Sequence, residues 1–302
     1  MSLIAFILVG ISAFTHALWN FISKRQNPPA AFFLLASVGT IVLFSPVLFF
    51  FREGLIEIPP VVWRLIILTG LIQAIYYIFL AAAYRNGDLS LAYPFARSLP
   101  VVIIAFVTVL LGRGDQIRPW AYGGFALVSA GCIILPLPGF RNISKDSYRQ
   151  KWMVFAFLAA ICIAGYMLID DQSLRVLRSL NNPQFPPLAW AILYAELESI
   201  SLASFLFVLL LFSGVERNKL KTTGISDWRL ALRMGFIICS TYILVLYSMA
   251  FVENVSYVTA FRQLSIPIGA VMGILIRKEK ASAPKLIGIA LVISGLVLSV
   301  LA

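Results

Sequence analysis

Charge is scarce in this chain, and acidic charge most of all. Only 12% of the 302 residues are Asp, Glu, Lys or Arg, with 13 acids against 24 bases, and histidine occurs once. Soluble domains carry roughly 25% charged residues, so this composition cannot clothe a water-facing surface, and a separate soluble domain is excluded. Cysteine is nearly absent too. Cys132, Cys162 and Cys239 each fall inside an apolar stretch, where a thiol behaves as a small hydrophobe, and their spacing matches neither a disulfide framework nor a zinc site. The phosphate-cradling Gly-rich loop, the nucleophile elbow, the His-rich cluster and the Gly-rich selectivity loop are all missing. Those absences remove ATP drive, hydrolase chemistry and a metal or other cofactor from the expectation. Met1-Ser2-Leu3-Ile4 has no basic leader region, so it reads as the start of a first helix.

What the chain has instead is apolar length. Residues of the hydrophobic class make up 61% of it. Runs of about 18 or more residues with few charges each read as a membrane-spanning helix. Ten are expected: about 3–22, 30–51, 63–84, 91–111, 119–137, 152–170, 188–212, 230–251, 256–276 and 285–301. The alternation of a transmembrane β-barrel is not there. The expected fold is therefore an all-α membrane protein in a lipid bilayer.

Two segments echo one another at a spacing of 165 residues. Arg97, Leu99, Ile103, Ala105, Leu110, Pro119, Gly123 and Ser129 recur without a gap as Arg262, Leu264, Ile268, Ala270, Leu275, Pro284, Gly288 and Ser294. Aliphatic matches are cheap in membrane helices, but a matched arginine and a matched proline are not. The chain thus reads as two five-helix repeats, 1–138 and 151–302, separated by the Pro-, Gly- and Lys-bearing stretch from Pro136 to Lys145. An odd number of spans per repeat inverts the second copy, the architecture of many secondary transporters.

The net charge of +11 has a topological rather than a nucleic-acid reading. The connections after helices 1, 3, 5, 7 and 9, with their flanking turns, hold 16 Lys and Arg, against 6 for those after helices 2, 4, 6 and 8. Positive residues stay cytoplasmic, so both termini are expected outside. Asn142-Ile143-Ser144 matches a glycosylation acceptor, but on the expected cytoplasmic side it carries no meaning.

The residues that should not be in lipid are the candidate site. A guanidinium within a span costs at least about 2.5–3.5 kcal/mol and must face a partner or a water-filled cavity. Arg97 and Arg262 are thus candidate anion ligands, their planar forks suited to carboxylate or phosphate. The bland alternative is local pairing, as of Arg97 with Asp88. Glu196 and Glu198 fall near the middle of helix 7 and point about 200° apart. They are candidates for proton coupling or, alternatively, for ion pairing in the core. Asp170 and Asp171 are expected at the interfacial end of helix 6. His16, Trp19 and Asn20 share one face of helix 1. Tyr76, Tyr77, Tyr242 and Tyr247, in the equivalent helices 3 and 8, could line a cavity or mark the membrane interface. Tyr93, Pro94 and Pro100 in helix 4 and Pro267 in helix 9 mark places where a broken, polar backbone is expected.

These motifs carry a resemblance. The run Tyr84-Arg85-Asn86-Gly87-Asp88-Leu89-Ser90-Leu91-Ala92-Tyr93-Pro94-Phe95-Ala96-Arg97 resembles the start of helix 4 in bacterial EamA-type members of the drug/metabolite transporter superfamily. His16-Ala17-Leu18-Trp19-Asn20 is similar to their first helix, and Phe261-Arg262-Gln263-Leu264-Ser265 through Glu279 and Gly288 to their second repeat. One departure is Gly112-Arg113-Gly114-Asp115, which stands where the second copy has Lys278-Glu279. The resemblance implies a carrier of small metabolites in the bacterial inner membrane, often an amino-acid exporter. Its cavity would be built from both repeats, here Arg97, Arg262, His16, Trp19, Asn20, Tyr77, Tyr93 and Tyr242, and one chain is expected to suffice. A phosphonate or organophosphate permease is the alternative substrate reading. A non-transporting membrane scaffold is the alternative of another class.

Overall fold

The computed structural model describes the backbone of residues 1–23, 29–86, 89–135, 151–212, 228–278 and 280–301, with positions 137, 139 and 217 besides. The segment from Pro138 to Lys145 with its glycosylation match, apart from position 139, lies outside the described residues, as do Asp88, Glu279 and the side chains of Trp19, Asn20 and Tyr93. Among the described residues every regular element is helical.

The elements are α1 (Leu3–Ser23), α2 (Ala30–Phe44), α3 (Pro46–Phe50), α4 (Arg52–Glu57), α5 (Pro60–Asn86), α6 (Leu89–Leu110) and α7 (Pro119–Ile134) in the first half. The second half has α8 (Lys151–Ser179), α9 (Pro187–Leu211), α10 (Trp228–Ser248), α11 (Val255–Arg262), α12 (Ser265–Arg277) and α13 (Ala283–Leu301). Six segments are long and apolar enough to cross a membrane, and four shorter apolar helices accompany them. Phe106, Leu110, Trp120 and Leu275 are each more than half exposed, a surface that water would not tolerate and lipid tails do.

Proline decides where several helices begin and break. Pro119 and Pro187 occupy first helical turns, where a missing N–H costs nothing. Pro46 divides the span expected over 30–51 into α2 and α3. Pro267 lacks the N–H that would reach the Gln263 carbonyl, and the chain tightens there. Gln263 and Leu264 donate to the carbonyls three residues back, at 3.0 Å each, and α11 stops at Arg262. Helix 4 departs from expectation. It runs unbroken through Pro94 and Pro100 in α6, so of the two helices whose prolines are expected to break the backbone only helix 9 is broken.

Helix 6 also departs from expectation. It continues to Ser179 as a 29-residue α8, since Gln172-Ser173-Leu174 holds nothing that stops a helix. Asp170 and Asp171 therefore lie inside it rather than at its end.

Close packing uses glycine. α7 lies along α13, where a Cβ on Gly124 would come within 2.5 Å of the Gly295 carbonyl oxygen, and one on Gly131 within 2.8 Å of the Gly288 oxygen. The earlier glycine meets the later one, so the two helices run antiparallel. Elsewhere Gly70 of α5 admits Ser201 of α9, and Gly235 of α10 admits Ala36 of α2. Both members of the first contact differ from those of the second by 165 positions, the spacing of the sequence echo.

Gly124→Val places three carbons where backbone now passes. It is expected to cost about 1–3 kcal/mol of overpacking, read as a lowered thermal unfolding midpoint of the purified protein relative to Gly10→Val, a site with open space around it.

Candidate functional site

The centre of the bundle is polar, and its charged members come from both halves. Arg97, on α6, is 5% exposed. Arg262 is buried at the last residue of α11, beside the break before Pro267. His16, half-buried on α1, lies within electrostatic reach of both arginines. The three candidates that the sequence placed in separate helices therefore converge on one region.

Arg262 is held by soft and aromatic partners. Its Nη1 points at the sulfur of Met167 at 3.3 Å, and its guanidinium carbon stands 5.4 Å from the centre of the Tyr242 ring. Tyr242 in turn donates its hydroxyl to Asp170 Oδ2. Asp170 is fully buried and also receives Thr69 Oγ1 at 2.7 Å and the Tyr194 hydroxyl at 2.9 Å. Three hydroxyls from α5, α9 and α10 thus cage one carboxylate on α8, with Arg262 within electrostatic reach. Such a set of donors suits an ionised acid. Asp170 is the site residue that sequence reasoning misplaced. The signal available was the pairing of an acid with the strongly polar face of helix 3 (Thr69, Gln73), which only a correct helix 6 length would have exposed. Asp171, next along the chain, faces elsewhere and pairs with Arg175 at 2.7 Å, whose Nη2 reaches the Glu253 carbonyl.

Glu198 sits one turn from Tyr194 on α9, and its Oε1 accepts from Gln73 Nε2, one turn from Thr69 on α5. Its Oε2 is buried without a hydrogen-bond partner. Glu196, two residues earlier, is fully buried with neither oxygen hydrogen-bonded, and it acts on Cys239 of α10. The two glutamates diverge as their spacing requires.

Aromatic rings line the space between. Phe33 stacks on Tyr77 at 4.4 Å, Tyr77 touches Tyr76 at 4.9 Å, Tyr76 meets Tyr166 at 6.0 Å, and Tyr166 meets Tyr242 at 6.3 Å. Tyr77 and Tyr242, 165 positions apart, occupy this row, both half-buried. Tyr247 instead packs on Phe251 at 5.1 Å, at the end of α10.

A bundle of apolar helices with a buried, charged and aromatic centre is the form of a helical membrane protein with a functional interior. Comparison with known proteins agrees. Residues 3–137 match the model of the EamA-like transporter family, which belongs to the drug/metabolite transporter superfamily. No curated protein sequence matches it significantly. A solved structure described only as the crystal structure of a protein shares the fold, with a TM-score of 0.67 and 15% identity over 98% of each chain. That match and the six segments long and apolar enough to cross a membrane support a multi-pass membrane protein, and the matched family implies a small-molecule substrate.

Tyr242→Phe keeps the ring beneath Arg262 but deletes one donor to Asp170. It is expected to lower stability by about 1–2 kcal/mol. Asp170→Leu leaves three buried hydroxyls and a guanidinium without their acid, and is expected to cost about 3–5 kcal/mol. Denaturant titration of the detergent-solubilised protein checks the order.

Proposed function

We propose that this chain is a secondary transporter that exports a small organic anion or zwitterion, such as an amino acid or related metabolite, by alternating access. The observation that carries the reading is the convergence of Arg97 and Arg262, matched positions of the two halves, on a single region shared with His16. Two guanidiniums at membrane depth are too costly to keep as ornaments, and their forks complement a carboxylate or phosphonate. In this reading Arg97 and Arg262 hold the anionic group, and His16, Trp19, Asn20, Tyr77, Tyr93 and Tyr242 shape the cavity. Glu196 and Glu198 are the candidate carriers of a coupling proton. A phosphonate or organophosphate is the alternative substrate, favoured by the presence of two arginines rather than one.

The architecture proposed is ten spans in two inverted five-helix repeats, 1–138 and 151–302. Support comes from the antiparallel run of α7 against α13 and from the contacts Gly70–Ser201 and Gly235–Ala36, which a 165-residue shift interconverts. The distribution of Lys and Arg supports both termini outside a bacterial inner membrane. Rocking of one half against the other would expose the central region to each side in turn, with no covalent step.

The test is uptake into proteoliposomes of a panel of amino acids and phosphonates, with and without a pH gradient. Arg97→Ala and Arg262→Ala are each expected to reduce flux at least tenfold, and Arg→Lys at either position to restore only part of it. Normal flux in both alanine variants, or no anionic or zwitterionic compound carried, overturns the reading.

A further inference from the structure

Asp170 and Glu198 take their hydrogen-bond partners from the same pair of helices, α5 and α9. Thr69 and Gln73 are one turn apart on α5, and Tyr194 and Glu198 are one turn apart on α9. Thr69 and Tyr194 hold Asp170, while Gln73 holds Glu198. The two acids lie within electrostatic reach of one another. They differ in satisfaction. Asp170 receives three hydroxyl donors, whereas Glu198, 2% exposed, keeps Oε2 buried with no partner. An ionised carboxylate with a bare oxygen in a dry interior costs several kcal/mol. Glu198 therefore needs something at Oε2, either a proton or a cation.

The surroundings say which cation would fit. Glu198 lies within electrostatic reach of Tyr77 on α5, Tyr166 on α8, Tyr194 on its own helix, and Tyr242 and Cys239 on α10. Asp170 of α8 and Arg262 of α11 also act on it, while α2 and α3, which pack on α9, contain no titratable residue. Aromatic rings beside buried carboxylates are the chemistry that recognises a compact organic cation. Glu196 shares only Cys239 with this set and points away from Glu198 around α9.

We infer that Glu198 and Asp170, with the rings of Tyr166 and Tyr242, form a cation subsite for a primary ammonium group. A proton and that ammonium occupy Glu198 in turn. This deepens the reading given above and rests on it in one respect, that Arg97 and Arg262 take the substrate's anionic end. The substrate is then a zwitterion rather than a plain anion. The exchange balances simply. On the side where substrate enters, Glu198 releases its proton to water as the ammonium binds. On the other side the ammonium leaves and Glu198 takes up a proton from water. Zwitterion and proton thus move in opposite directions.

Two measurements on the full-length protein separate this inference from the arginine reading. The first uses methylammonium alone, which needs no arginine, and follows proton release from weakly buffered purified protein with a pH-indicating dye. Wild type is expected to release up to one proton per chain, and Glu198→Gln none. Tyr166→Leu, which removes a ring and no charge, is expected to weaken the methylammonium response several-fold and keeps the test open should the glutamine variant fold poorly. Absence of proton release in wild type, or release undiminished in both variants, overturns the subsite. The second measurement compares aminoethylphosphonate with ethylphosphonate, and alanine with propionate, as competitors of transport. The aminated member of each pair is expected to compete at least tenfold better in wild type, and the preference to vanish in Glu198→Gln. Equal competition by both members overturns the zwitterion assignment. A methylammonium response that survives while Arg262→Ala leaves every phosphonate and amino-acid flux intact overturns the arginine reading and leaves the cation subsite standing.

Discussion

A guanidinium in a lipid-embedded bundle has to be answered by the protein, because hydrocarbon offers nothing. Arg262 is answered by the sulfur of Met167, the face of Tyr242 and, through the Tyr242 hydroxyl, by Asp170. That chain of contacts reaches across α8, α10 and α11, and the cage around Asp170 extends it to α5 and α9. Five helices are oriented by one need. The break before Pro267 serves the same need, since ending α11 at Arg262 brings the guanidinium to a turn whose carbonyl accepts from Ser265 Oγ at 2.9 Å.

Polar groups decide the centre, and small residues decide the frame. Where no water is expelled, helices associate through close packing. Here α7 and α13 meet at glycines, and α5 and α10 each open a glycine to a neighbour. The frame is tight at these seams, while Tyr76, Tyr77 and Tyr242 of the aromatic row stay half-buried. The transport cycle proposed above needs that contrast, with rigid halves and a centre able to accept a ligand.

Much of the fold was legible because membrane burial writes itself into composition. Apolar length located the helices, and the echo from Arg97 to Ser129 and Arg262 to Ser294 pointed to the residues worth burying. The matched arginines were found this way because charge in an apolar run is conspicuous. Asp170 was not. It sits where the apolar run thins out at Asp170-Asp171-Gln172, which by composition reads as a helix end, and only the continued winding of α8 to Ser179 carries it inside. The break in helix 9 and the continuity of helix 4 were likewise undecidable from their prolines, because a proline's missing bond matters only where no neighbouring group compensates for it.

Sequence alone determined that this is a many-helix membrane protein, that a run of positions recurs at a spacing of 165, and that two arginines had to be sheltered. Those follow from transfer energies and spacing, which are local properties. Tertiary structure alone decided which acid answers Arg262, that Glu198 joins it while Glu196 turns away, and that tyrosines from three helices gather beside both acids. Those are relations between residues far apart in the chain, as with Thr69 and Tyr242, 173 positions apart, which meet at Asp170. Nothing short of the packed bundle specifies them.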